Sequence, residues 1–125
     1  MLGSRPVTTF VATANAEAAR EFYEGVLGLT FAGDDGFALL FALPGVQLRV
    51  VRTTEFRPHA FTTLGWNVDN MPDAVETLRS RGVTFERYGD MDQDDRGIWM
   101  PPGSQHGVAW FKDPDGNLLS VSGPV

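Results

Sequence analysis

Val7-Thr8-Thr9-Phe10-Val11-Ala12 is rich in β-branched and aromatic side chains, with Val7, Thr9 and Val11 on one parity and Thr8, Phe10 and Ala12 on the other. A period of two sends successive side chains to opposite sides, so this segment is expected to be a strand. The period then lengthens. Ala18, Ala19, Phe22, Tyr23, Val26 and Leu27 recur at helical spacing. Asn15 stands where an N-cap side chain would accept from the first turn, and Glu17 where the helix dipole favours an acid. Gly28 is placed to end this helix. Three strand-like runs follow: Leu29–Ala32, Gly36–Leu43 and Val46–Arg52. The turns between them are Gly33-Asp34-Asp35-Gly36 and Pro44-Gly45.

The same order then repeats. Phe61–Val68 reads as a strand, and Asn70, Pro72 and Asp73 mark a helix start, proline being tolerated in a first turn. Ala74, Val75 and Leu78 form the apolar stripe, Arg79 and Arg81 fall in the last turn, and Gly82 stops it. Val83-Thr84-Phe85 echoes Leu29-Thr30-Phe31. Further strands are expected over Val83–Tyr88, near Gly97–Met100, over Gly107–Phe111 and over Leu118–Ser122. The pattern predicts an α+β chain of two tandem β-α-β-β-β modules, residues 5–52 and 60–123, joined by a linker at 53–59. A module of about 60 residues buries too little surface to be stable alone. The two are therefore expected to form one domain over 1–125, with a curled, half-open mixed sheet around a cavity.

Alternation also assigns faces. With Val7, Thr9 and Val11 towards the helix, Thr8 and Phe10 face the cavity. With Val46, Leu48 and Val50 towards the helix, Gln47 and Arg49 face it. Leu64, Trp66 and Val68 suit the helix side of the fifth strand, leaving Thr63 and Asn67 inward, and Ser120 points inward from the last strand. Tyr88, Trp99 and Trp110 are expected near the mouth, where they could stack on a flat ligand; for Trp110, plain core packing is at least as good a reading. Arg49 could clamp a carboxylate or phosphate, or pair with a nearby acid such as Glu55 or Asp69.

Composition narrows the function. The net charge of −6 opposes non-specific nucleic-acid binding, which needs a basic surface. No apolar run is long enough to span a bilayer. Met1-Leu-Gly-Ser-Arg-Pro6 lacks the apolar core of a signal peptide, and there is no cysteine for a disulfide or thiolate site. A cytoplasmic location is the expectation. His59 and His106, the two histidines, fall in a linker and a loop. The acidic run Asp90–Asp95 fails the calcium-loop pattern, because Asp95 and Pro101 stand where Gly and Glu are needed.

The chain ends on Val108-Ala-Trp-Phe-Lys-Asp113-Pro-Asp-Gly116-Asn-Leu-Leu-Ser120-Val-Ser122, two apolar strands around a turn. Phe111-x-Asp-Pro-Asp-Gly-Asn117, Phe22-Tyr-x-x-x-Leu27-Gly-Leu29 and the tandem module order together resemble the vicinal oxygen chelate superfamily, the glyoxalase/bleomycin resistance protein/dioxygenase group. The resemblance covers nearly the whole chain and implies a homodimer. In the metal-dependent members, His or Gln, Glu, His and Glu come from four of these strands. The matching positions here are Thr8, Arg49, Thr63 and Ser120. None is an imidazole or carboxylate, the ligands that such a site needs. No metal or other cofactor is therefore expected. The reading is a metal-independent protein that holds a small-molecule ligand in the cavity between modules. A lyase, isomerase or dioxygenase acting on a small carbonyl or aromatic compound is the alternative.

Overall fold

The Asn15 side chain accepts a hydrogen bond from the Ala18 amide at 3.1 Å, and Asn70 accepts from Asp73 at 3.1 Å. Each satisfies a donor that a helix start leaves without a partner. These caps begin the two principal helices of the computed structural model, which describes residues 1–125. The chain falls into two compact units, Met1–Arg57 and Pro58–Val125.

In the first unit β1 (Val7–Thr13) leads to α1 (Ala16–Arg20), and β2 (Thr30–Asp34), β3 (Ala38–Leu43) and β4 (Val46–Arg52) follow. The sheet order is β1-β4-β3-β2, with β1 parallel to β4 and the other pairs antiparallel. Past Arg20 the helix widens into a π-helix over Glu21–Val26. There the Leu27 N–H donates to the Phe22 carbonyl, five residues back, at 2.9 Å. Gly28, at φ 75°, then turns the chain in the left-handed region that glycine tolerates. Tyr23, Phe41, Leu48 and Val50 are wholly buried and form this unit's core.

The β2–β3 turn is locked by acids. Asp34 takes both ends of the Arg52 guanidinium, at 2.7 and 2.6 Å, and also accepts from the Gly36 N–H. The Arg52 pairing, helped by that backbone bond, lowers the Asp34 carboxyl from its usual value to about 2. A depressed folded-state value adds stability above the ordinary carboxylate range, and that stability is lost as pH falls towards about 2. The Asp34→Asn variant is expected to lose this acid-side slope between about pH 4 and about pH 2, measured by urea unfolding at each pH.

The second unit carries β5 (Leu64–Asn67), α2 (Met71–Ser80), β6 (His106–Lys112) and β7 (Leu118–Pro124). Its sheet order is β5-β7-β6, parallel between β5 and β7 and antiparallel between β6 and β7. Helix α2 packs on β7 and β6, and Met71, Val75, Phe111 and Leu119 fill the interior. His106, expected in a loop, starts β6 and is exposed.

The structure corrects one pair of strands. The expected runs over 83–88 and near 97–100 are reduced to single bridges. Phe85 lies opposite Phe111, and Trp99 lies opposite both Gln93 and Val108. The reason is a side chain that replaces a strand partner. Gln93 Oε1 accepts the Tyr88 N–H at 2.8 Å. Gln93 Nε2 donates to the Glu86 and Gly97 carbonyls, both at 2.9 Å. Backbone groups that a ladder would pair are thus satisfied locally.

Candidate functional site

In the first unit burial follows the expected alternation over part of its length, and Val7, expected on the helix side, is 57% exposed. Leu48 and Val50 are fully buried and Val11 is 6% exposed, all on one side. Thr8 and Gln47 are exposed, Phe10 is 59% exposed, and Arg49 is half-buried. Register sets Thr8 beside Gln47 and then Ala42, and Phe10 beside Arg49 and then Leu40. Thr8, Phe10, Gln47 and Arg49 therefore form one contiguous patch, because side chains directly opposite across paired strands share a face. Arg49 is not a free cation there: its Nη2 meets Asp35 Oδ2 at 2.7 Å. Asp35 replaces the partners expected from sequence, Glu55 and Asp69. The same carboxylate accepts from the Phe37 and Ala38 amides. The Arg49 bond, followed by these amides, holds the Asp35 carboxyl below its usual range.

The second unit gathers most of the remaining candidates. Across its sheet Gly65 lies beside Ser120 and then Trp110, and Asn67 beside Ser122 and then Val108. The Ser122 hydroxyl donates to Asn67 Oδ1 at 3.3 Å. Trp99 joins the same face through its bridge to Val108. The rings of Tyr88 and Trp110 meet edge to face with centroids 5.7 Å apart, and those of Trp99 and Trp110 lie 6.2 Å apart. Tyr88, Trp99 and Trp110 thus form one aromatic group with Ser120 beside Trp110, and Asn67 lies farther across the same sheet face. Thr63 stands just before β5, with its hydroxyl donating to the Leu118 carbonyl at 3.3 Å.

Charge on this face is balanced. Lys112 Nζ lies 3.4 Å from Glu86 Oε1. Burial pushes the Tyr88 phenol above its usual value, Glu86 adds to the rise and Lys112 opposes it. The hydroxyl stays protonated at neutral pH and remains a hydrogen-bond donor.

Sequence reasoning missed Asp35, Glu86, Lys112 and Gln93. The β3–β4 register puts Leu40, not an acid, opposite Arg49. Asp35 comes from the turn that folds back at Gly36, where φ is 87°. Gln93 carried no signal, because it stands inside an acidic run that reads as a solvated loop.

The sequence profile of the Glyoxalase/Bleomycin resistance protein/Dioxygenase superfamily matches residues 5–121. The chain belongs to that superfamily. Among solved structures, a superfamily member from Sphaerobacter thermophilus DSM 20745 aligns at TM-score 0.73 and 22% identity, covering 96% of this chain and 97% of that one. A glyoxalase/dioxygenase from Nostoc punctiforme aligns at TM-score 0.70 and 17% identity, over 98% and 92% of the two chains. An integron cassette protein from the mobile metagenome of V. cholerae aligns at TM-score 0.64 and 23% identity, over 96% and 94%. At these identities the likeness is one of fold. No curated protein matches the chain.

The superfamily's metal enzymes set the test for the four aligned positions. Thr8 and Ser120 offer neutral hydroxyls, Thr63 directs its hydroxyl to a carbonyl, and Arg49 is a cation held by Asp35. No group of three or more His, Asp or Glu side chains converges to hold a metal ion. This donor set does not fit a divalent metal, which needs imidazole or carboxylate ligands. No helix is long and apolar enough to cross a membrane.

Proposed function

We propose that the chain is a metal-independent small-molecule-binding member of its superfamily, taking a flat, unsaturated ligand on the face of the second unit. The observation that carries this reading is the grouping of Tyr88, Trp99 and Trp110 beside Ser120. The rings are only partly buried, so part of their apolar surface is left for another molecule. An aromatic pair contributes about 0.5–1.5 kcal/mol beyond its burial. The phenol O–H, the Ser120 hydroxyl and the Asn67 amide can orient polar atoms at a ligand's rim. Arg49, on which a metal-free chemistry at a carbonyl would draw for oxyanion stabilisation, is already engaged by Asp35. That favours binding over turnover.

A thermal-shift screen of planar aromatic compounds, followed by tryptophan-fluorescence titration of the hits, tests the reading. Trp99→Ala is expected to weaken a true hit about tenfold, or about 1.4 kcal/mol. An unchanged affinity would remove the aromatic face from the site. Metal analysis of protein purified without chelator tests the other half: stoichiometric zinc, iron, manganese or nickel would sink metal independence.

A further inference from the structure

We propose that Gln93 is a positioning residue of the aromatic face, a side chain that holds the Tyr88 and Trp99 stretches together so that their rings meet Trp110. Its consequence for ligand affinity rests on the binding function proposed above; the positioning itself does not. Tyr88 and Trp99 come from stretches without continuous strand pairing. One residue reaches both stretches. The Gln93 backbone bridges Trp99. Its side-chain amide reaches the other stretch, accepting the Tyr88 N–H and donating to the Glu86 carbonyl, and also donates to the Gly97 carbonyl two residues before Trp99.

The amide's chemistry is matched to this place. One side presents an N–H and the other two carbonyls, so oxygen must face Tyr88 and nitrogen must face Glu86 and Gly97. A flipped amide would set like against like at all three contacts. The Glu86 N–H then donates to the Trp110 carbonyl at 2.8 Å, and the Trp99 N–H to the Val108 carbonyl at 2.9 Å. Gln93 thereby ties both ring-bearing stretches to each other, and these two bonds tie them to β6. A glutamate of the same shape keeps the acceptor and loses both donors. Its carboxylate would face two carbonyl oxygens, which repel it.

The full chain carrying Gln93→Ala or Gln93→Glu decides the matter by two readouts. One is the aromatic circular dichroism, which reports ring geometry; the other is affinity for the neutral planar probe 2-naphthol. Gln93→Ala is expected to lose much of the aromatic signal and to weaken 2-naphthol at least about fivefold, with the far-ultraviolet spectrum retained. Gln93→Glu should behave alike at about pH 8 and recover both signals towards about pH 4, below the ordinary glutamate value of about 4.3, while the unsubstituted protein stays flat over that range. Protonation restores one O–H donor and keeps an acceptor for Tyr88, a recovery that a generally loosened fold would not show. An unaltered aromatic signal in Gln93→Ala, or no recovery by Gln93→Glu, overturns the positioning role. If 2-naphthol fails to bind the unsubstituted protein, the binding function loses support, and the dichroism alone still decides the role of Gln93.

Discussion

Replacing Gly123 by alanine is expected to destabilise the protein by about 3 kcal/mol or more, enough to leave much of it insoluble on expression. Gly123 is buried in β7, and a Cβ there would run into the Val68 carbonyl oxygen, with the Val68 carbonyl carbon 3.0 Å away. The obstacle is backbone. The chain there is held against β7, because the Val68 N–H is tied to the Ser122 carbonyl at 2.8 Å. Relief would require β7 to separate from the end of β5, breaking the parallel pair that closes this edge of the sheet. Gly65→Ala is the control. Its Cβ would approach Ser120 Oγ at 2.6 Å, but that atom ends a side chain that can turn to another rotamer. That variant should cost under about 1 kcal/mol. Urea unfolding of the pair separates the cases, and equal losses would refute the steric argument.

The contrast between these glycines shows what a sequence discloses. Both sit in strands, and alternation alone gives no reason to rank them. Periodicity did suffice for β1, β4 and the two helices, where an apolar stripe and an N-cap coincide at Asn15 and Asn70. It sufficed to set Thr8, Phe10 and Gln47 on the side opposite buried Val11, Leu48 and Val50, because a period of two allows only two phases. It failed over 83–88 and 97–100, where β-branched and aromatic residues read as strands but a glutamine side chain takes the backbone's partners. It also failed for the state of Arg49, since an ion pair across a turn depends on how that turn folds back. The aromatic site was legible in residue type and not in assembly. Tyr88, Trp99 and Trp110 were expected near one mouth, while the contacts among their rings follow from bridges that no local pattern encodes.

Asp113→Ala is expected to cost about 3 kcal/mol, lowering the unfolding temperature by roughly 10 °C. The carboxylate is 5% exposed and holds the closing turn from within. Oδ1 accepts the Asp115 N–H at 3.0 Å and the Asn117 N–H at 2.9 Å, while Oδ2 accepts from Asn117 Nδ2 at 2.8 Å. Asn117 is also only 5% exposed, so its donors gain little water when the carboxylate goes. Bonds to a charged acceptor are each worth about 1.5–3 kcal/mol, and stranded buried donors carry their full desolvation cost. The backbone bonds of the turn, Gly116 N–H to the Asp113 carbonyl and Asp113 N–H to the Asn117 carbonyl, both at 3.0 Å, remain available. They keep the loss finite. Asp113→Asn should fall about midway: its oxygen can still serve the two backbone amides, but its NH2 must then face the NH2 of Asn117. Thermal unfolding of both variants checks the order. A loss below about 1 kcal/mol for alanine would mean that Pro114 and Gly116 close the turn without the carboxylate. The strand that follows carries Ser120 to Trp110, so the same variant should blunt the aromatic circular dichroism as well as the stability.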